Sequence, residues 1–196
     1  LDATLAALGL TVSTGRVVDF RVREHLRQEP GKSRAPLIHP CHFRGLFVRW
    51  PKLPAKKPNA IENNSHTASL LVPEGVYVLT KRFTSKEERR RVVACIYAPD
   101  RVAPGPVGFE NHVNYIHVNG QGLEIVMAKG LWAFLNSSTL DLYFRQFNGH
   151  TQVNATDLRN IRVPTAAQLR GIGRRIGDDT LQQEQIDKIV TEELKA

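Results

Sequence analysis

The spacing of apolar residues changes near Leu123, and no other feature of the chain restricts its fold as much. Upstream, short runs alternate or are continuously apolar, and Pro, Gly and Asn punctuate them. Examples are Leu10-Thr11-Val12-Ser13, Val92-Val93-Ala94-Cys95-Ile96-Tyr97 and residues 112–118. Runs of this length with such borders predict strands. Downstream, Leu123, Val126, Met127, Leu131, Trp132, Phe134 and Leu135 recur at helical spacing. Leu140, Leu142, Tyr143, Phe144 and Phe147 suggest a second helix, and two more follow Pro164. Strands first and helices last make an α+β chain. The reading is a curved, mostly antiparallel sheet domain followed by a C-terminal helical segment, divided into residues 1–164 and 165–196.

Local signals refine this outline. Asp2 and Gly9 have the places of caps on a short helix over residues 3–8. Pro73-Glu74-Gly75 predicts a hairpin between residues 69–72 and 76–82, and Asn119-Gly120 predicts a tight turn. Residues 51–67, rich in Pro, Lys and Asn, predict a long excursion. Capping-box spacing occurs at Ser85/Glu88, Thr165/Gln168 and Thr180/Gln183. The last helix is amphipathic, which suggests an appendage docking on a neighbour.

The formal charge is +8 and the pI about 9.8, a balance that favours polyanionic partners, nucleic acid before membrane. Apolar runs fall far short of a membrane span and no signal pattern opens the chain, so the expected location is cytoplasmic. The first residue is Leu1, which suggests a piece of a longer protein. Cys41 and Cys95 form no CxxC pair, and His39-Pro40-Cys41-His42 matches no common zinc module, so no metal site is expected. GxGxxG, P-loop, G-x-S-x-G and HExxH patterns are all missing from these residues, and no acidic pair flanks a lysine on a strand. Cys95, in an apolar strand, reads as a buried small hydrophobe. Self-contained catalysis is not expected.

Three stretches carry binding chemistry. Residues 81–91, Lys-Arg-Phe-Thr-Ser-Lys-Glu-Glu-Arg-Arg-Arg, hold six cations against two carboxylates, with hydroxyls between them that suit phosphate oxygens. In Asn111-His112-Val113-Asn114-Tyr115-Ile116-His117, strand alternation puts Val113, Tyr115 and His117 on one face and Asn114 and Ile116 on the other. Asparagine amides can pair with adenine and histidine can stack on a base. The third is a polar loop from Phe147 to Arg159, in which Gly149 permits close approach and His150, Thr151, Gln152 and Asn154 offer contacts. Asp157 suits a capping place there. Each stretch also has a purely structural reading: a solvated charged face, turn asparagines with core histidines, or an elaborate helix stop.

An ordered set of blocks then points to a family. Leu135-Asn136-Ser137-Ser138, Gly149-His150-Thr151-Gln152 and Leu158-Arg159-Asn160-Ile161-Arg162-Val163-Pro164 resemble the tail of target recognition domains in adenine-specific DNA methyltransferases of restriction–modification systems. The same order is similar to that of type I specificity subunits. Residues 11–20, 81–91 and 110–115 are similar to other blocks of the methyltransferase version, so the resemblance covers about residues 10 to 164. The family's methyl-donor glycine motif and Asn-Pro-Pro-Tyr motif are missing from this sequence. The resemblance therefore implies a recognition portion that binds double-stranded DNA and is non-catalytic by itself. Its expected partner is an N-terminal catalytic domain, and S-adenosylmethionine would serve the parent protein rather than this segment. Arg16, Lys81, Arg82, Lys86, Arg89, Arg90, His112, Asn114, His150 and Gln152 are the expected DNA-binding residues, the cations of 81–91 holding phosphates. The alternative is a basic scaffolding domain that docks through its last helix.

Overall fold

The computed structural model describes the whole chain except residues 2, 85–88, 148–151, 180 and 196. The caps foreseen at Asp2, Ser85/Glu88 and Thr180 lie outside the described residues.

Two mixed sheets and a helical layer make the architecture, an α+β arrangement. The first sheet has six strands in the order Thr11–Thr14, Val113–His117, Tyr77–Lys81, Ala94–Tyr97, Phe47–Val48 and Phe43–Arg44. All its pairings are antiparallel except that between Ala94–Tyr97 and Phe47–Val48. The second sheet has five strands, ordered Leu26–Arg27, Ala60–Glu62, Arg34–Ile38, Val107–Phe109 and Leu71–Val72, with Val107–Phe109 parallel to Arg34–Ile38. The foreseen α+β order of mostly antiparallel sheet followed by helices holds, with the strands shared between these two sheets and a third, two-stranded one, Ala3–Thr4 with Arg162–Val163.

Strand alternation sorts the core into layers. Val12, Val78, Ala94, Ile96 and Ile116 leave one face of the first sheet to meet the helices. Tyr77, Leu79, Cys95, Tyr97, Val113 and Tyr115 leave the other to meet Ile38, Val72, Val107 and Phe109 of the second sheet. The rings of Tyr77, Phe109 and Tyr115 pack at 5.2–6.0 Å between centroids. Such edge and tilted pairs add to the gain from burial. Ala35, Leu37, Ile61 and Leu71 fill a smaller core on the far side of the second sheet.

The helices are α1 (Ile125–Leu135), α2 (Ser138–Phe147), α3 (Ala155–Asn160), α4 (Ala166–Arg174) and α5 (Gln183–Lys195). Helix α4 begins at the foreseen capping box, where Thr165 N–H donates to Gln168 Oε1 at 3.1 Å and Gln168 N–H to Thr165 Oγ1 at 3.3 Å. Helices α1 and α4 cross closely because glycines face backbone: a Cβ at Gly130 would stand 1.8 Å from the Leu169 carbonyl oxygen, and one at Gly173 1.9 Å from that of Val126. Helix α5 buries Ile186 and Val190 in the same core, so its apolar stripe is covered by this chain itself.

Several local expectations change. The segment foreseen as a helix over 3–8 is a strand, Ala3–Thr4, then one 3₁₀ turn, Ala6–Leu8, closed by Gly9 at φ 71°. Ala3–Thr4 pairs with Arg162–Val163, so tertiary pairing overrides helix propensity. The hairpin foreseen across Pro73-Glu74-Gly75 is a crossing between sheets: Leu71–Val72 belongs to the second and Tyr77–Lys81 to the first. Within the 51–67 excursion, Ala60–Glu62 is a strand of the second sheet, and Asn59 is fully buried. The Asn59 amide donates to the Gln28 and Lys52 carbonyls at 2.9 and 3.1 Å and accepts from Lys52 N–H at 2.9 Å.

Candidate nucleic-acid interface

Antiparallel register brings distant polar segments to one end of the first sheet. Val113 pairs with Lys81 and Asn114 with Thr14, so residues 14–16, 81–83 and 111–113 emerge together. Gly15 N–H donates to the Val113 carbonyl at 2.7 Å, and Arg82 N–H to that of His112 at 2.9 Å. The loop after α2 joins this end: Phe83 and Gln152 form an antiparallel bridge, and Val153 N–H donates to the Arg82 carbonyl at 2.7 Å.

Side chains at this end combine cations with rings. Arg82 Nη1 donates to the Asn111 carbonyl at 3.2 Å, and its guanidinium carbon sits 5.5 Å from the Phe83 ring centre. Phe83, 41% exposed, packs against His112 at 5.2 Å. The His112 side chain is half exposed; its Nδ1 lies 2.6 Å from Glu110 Oε1, and its N–H donates to Oε2 at 2.9 Å. Arg16 is exposed and donates to the Ser69 carbonyl at 3.3 Å. A cleft of about 390 Å³ opens beside Phe83 and His112, bounded also by His39, Cys41, Lys57 and Glu110. Burial pushes the His39 pKa down to about 3, so its imidazole is neutral at ordinary pH.

Of the residues singled out from the sequence, Arg16, Lys81, Arg82, His112 and Gln152 meet at this end by their backbones, but the Arg16 side chain turns away towards Ser69 and His117. Asn114 lies directly beneath, fully buried, with both ends of its amide engaged: Nδ2 donates to the Val153 carbonyl at 2.8 Å and Oδ1 accepts from Thr14 Oγ1 at 3.1 Å. Arg89 is exposed, and with Lys81 and Arg90 it borders a second cleft against α1 and α5. Arg90 is half-buried and turned to the helices, donating to the Asn136 carbonyl at 2.9 Å and to Gln183. Lys86 and His150 lie outside the described residues. Arg91 is 1% exposed, and its Nη1 donates to Thr84 O at 2.6 Å and Oγ1 at 3.2 Å. In the polar loop, Asn154 N–H donates to Asp157 Oδ2 at 2.9 Å at the start of α3, the capping place foreseen for Asp157. Cys95 is buried, and burial pushes its thiol up to about 12, as suits an inert core residue.

Sequence reasoning missed Phe83, Lys57 and Glu110 as neighbours of this site. An aromatic residue set within a cation-rich segment was the available signal for Phe83. Glu110 opened the family-like block 110–115 and Lys57 lay in the 51–67 excursion, but only the fold brings the two side chains here.

Comparison with known proteins bears out the family resemblance. Over 195 residues the chain is 52% identical to the type II methyltransferase M.PstI of Providencia stuartii, an alignment that covers 100% of this chain and 38% of that protein. The chain is a relative of type II methyltransferases. It is also 50% identical over 171 residues to the type II methyltransferase M.BsuBI of Bacillus subtilis, covering 87% of this chain and 34% of that one. It therefore spans well under half the length of either relative. A solved chain from a type I restriction–modification system superposes with a TM-score of 0.40 at 11% identity, over 95% of this chain and 41% of that one, a match too loose to bear on function. No family model matches the chain. No described helix is long and apolar enough to cross a membrane.

Proposed function

We propose that this chain is the DNA target recognition portion of a site-specific adenine-N6 DNA methyltransferase of a restriction–modification system. The observation that carries the proposal is 52% identity along the whole chain to 38% of a type II methyltransferase. The methyl-donor glycine motif and Asn-Pro-Pro-Tyr are missing from these residues, which leaves recognition as the work for this part. The end of the first sheet supplies suitable chemistry. Lys81, Arg82 and Arg89 meet phosphates, while Phe83, His112 and Gln152 approach the groove or the bases beside the target. Catalysis and S-adenosylmethionine binding fall to a catalytic domain of the parent protein, which would flip the adenine from the duplex.

The test is duplex binding by the purified chain across a salt series. Phosphate contacts release counterions, so log affinity should fall linearly with log salt, by roughly 0.9 per phosphate neutralised. Arg82→Ala should weaken binding to all sequences and flatten that slope. His112→Ala should weaken binding to the cognate duplex more than to others. Binding that is indifferent to salt, or unchanged in both variants, would overturn the proposal.

A further inference from the structure

Below the cleft at the end of the first sheet, three segments far apart in sequence deliver a histidine and two carboxylates to one point. His39 follows the strand Arg34–Ile38 and Glu110 follows Val107–Phe109. These strands are parallel neighbours, with Phe109 opposite Ile38, so the two residues leave the sheet side by side. Asp19 is brought in by the parallel bridge between Val17 and Glu110. One ligand atom from each of the three lies within 4.8 Å of the other two. Asp19 Oδ1 is 4.0 Å from His39 Nε2, and Glu110 Oε2 is 3.8 Å from His39 Nδ1.

Two of the three residues are buried and Asp19 is partly exposed, at 26% of its side chain, and the cluster's own hydrogen bonds leave it incomplete. His39 is 2% exposed and Glu110 3%. His39 Nε2 and Asp19 Oδ1 are both inaccessible and lack a hydrogen-bond partner. Buried polar atoms nearly always find a partner, so two orphans 4.0 Å apart call for a third party. The carboxylates are already held in part: Lys57 Nζ is 3.6 Å from Asp19 Oδ2, and His112 meets both Glu110 oxygens, with Nδ1 2.6 Å from Oε1 and its backbone N–H donating to Oε2 at 2.9 Å. Outer contacts of this kind orient the ligands of metal sites.

We propose that Asp19, His39 and Glu110 bind a divalent transition-metal ion of the zinc class, with a remaining coordination position toward the cleft. An imidazole nitrogen beside two carboxylates suits zinc or cobalt better than magnesium or calcium, which take oxygen ligands. Donors around a tetrahedral ion bonded at about 2.1 Å stand about 3.4 Å apart, whereas these atoms lie within 4.8 Å of one another, so the set has to close by as much as about 1.4 Å around a single His39 nitrogen. The ion would tie three separate segments together directly beneath Phe83 and His112. This inference stands on the cluster alone and does not depend on the DNA-binding proposal.

The experiment is cobalt and zinc titration of the chelator-stripped chain. One equivalent of cobalt should give visible ligand-field absorption that zinc abolishes, and zinc but not magnesium should raise the unfolding temperature. His39→Ala should lose the bands. Asp19→Asn and Glu110→Gln, with folding checked by circular dichroism, should weaken cobalt binding at least tenfold. A stripped, folded wild-type chain with no bands and no zinc-dependent stabilisation would overturn the proposal. So would bands that survive unchanged in folded Asp19→Asn and Glu110→Gln, or bands lost in His25→Ala instead, which would place the ion beside His25, whose ring stacks on that of His66 at 5.9 Å between centroids.

Discussion

The Asn114 amide donates to the carbonyl of Val153, 39 positions later, at 2.8 Å, and so fastens the loop after α2 to the middle of the first sheet. Its oxygen accepts from Thr14 Oγ1 at 3.1 Å, so one buried side chain secures a neighbouring strand and the loop together. Asn114→Ala leaves the Val153 carbonyl and Thr14 hydroxyl without this partner inside the protein. The expected loss is about 1–3 kcal/mol in urea unfolding, and the Gln152 segment should become more open to hydrogen exchange. Unchanged stability would show that the loop is held by the Arg82–Val153 backbone bond alone.

The three consecutive arginines should separate by role. Arg91 donates to Thr84 from a fully buried position, and its N–H donates to Asp141 Oδ1 at 2.6 Å, so it links Thr84 to α2. Arg91→Ala removes a buried hydrogen-bonded cation, and a loss of about 3 kcal/mol is expected by thermal or urea unfolding. Arg89 is exposed, and Arg89→Ala should leave stability within about 0.5 kcal/mol. Its effect belongs in the salt-dependent part of DNA affinity. Replacing all three arginines together would mix unfolding with lost phosphate contacts, so the single variants carry the information.

How far the sequence could be followed depends on the range of the interaction. The capping box of Thr165 and Gln168 needs only three residues of separation and was legible. So was the alternation of Val113 and Tyr115 against Asn114 and Ile116, whose two faces meet different layers. The turn signal at Pro73-Glu74-Gly75 announced a change of direction but not the partners of the strands beside it. Leu123 N–H donates to the Val76 carbonyl at 2.8 Å, and that long-range bond helps draw the second strand away from the first. In the candidate site, cations and amides were visible as local clusters. The separation of Arg91 from Arg89 was not, because both lie in one charged run and only packing against α2 buries one of them. The meeting of Asp19, His39 and Glu110 depends on two parallel strands, a pairing that no local pattern reports.

His117 makes part of the stability depend on pH. Its Nδ1 accepts from Gly120 N–H at 2.9 Å, which leaves the ring proton on Nε2, 2.9 Å from Ser13 Oγ. Burial, and then the charge of Arg16, hold its pKa below the usual histidine range. The folded chain therefore binds a proton at this site less readily than the unfolded chain, whose histidine titrates near about 6.5. The stability is complete above that value and is lost as pH falls from there through the depressed folded pKa, at no more than about 1.4 kcal/mol per pH unit. Urea midpoints at about pH 7.5 and about pH 5.5 should differ more for the wild type than for His117→Gln, which keeps an acceptor and cannot titrate. An equal difference in both would remove His117 from the acid response.

The α1–α4 crossing gives the sharpest steric prediction. At Gly130 a methyl group would stand 1.8 Å from the Leu169 carbonyl oxygen, and at Gly173 1.9 Å from that of Val126; both obstacles are backbone, which no rotamer change can clear. The helices must then separate, loosening Leu131, Leu169 and Ile172 in the shared core. Gly130→Ala should cost about 1–3 kcal/mol or more despite the better helix propensity of alanine. Gly177 has open space where its Cβ would be, so Gly177→Ala should change stability by about 0.5 kcal/mol at most. If the crossing helps fix the first sheet that its helices cover, Gly130→Ala should also weaken DNA binding, although it lies on the helical side, away from the proposed contact end. Comparing the two variants by unfolding and by duplex affinity decides this. Affinity lost only in proportion to the unfolded fraction would make the helical layer a stabilising support. A larger loss in chain that is still folded would mean that the crossing sets the position of the contact end itself.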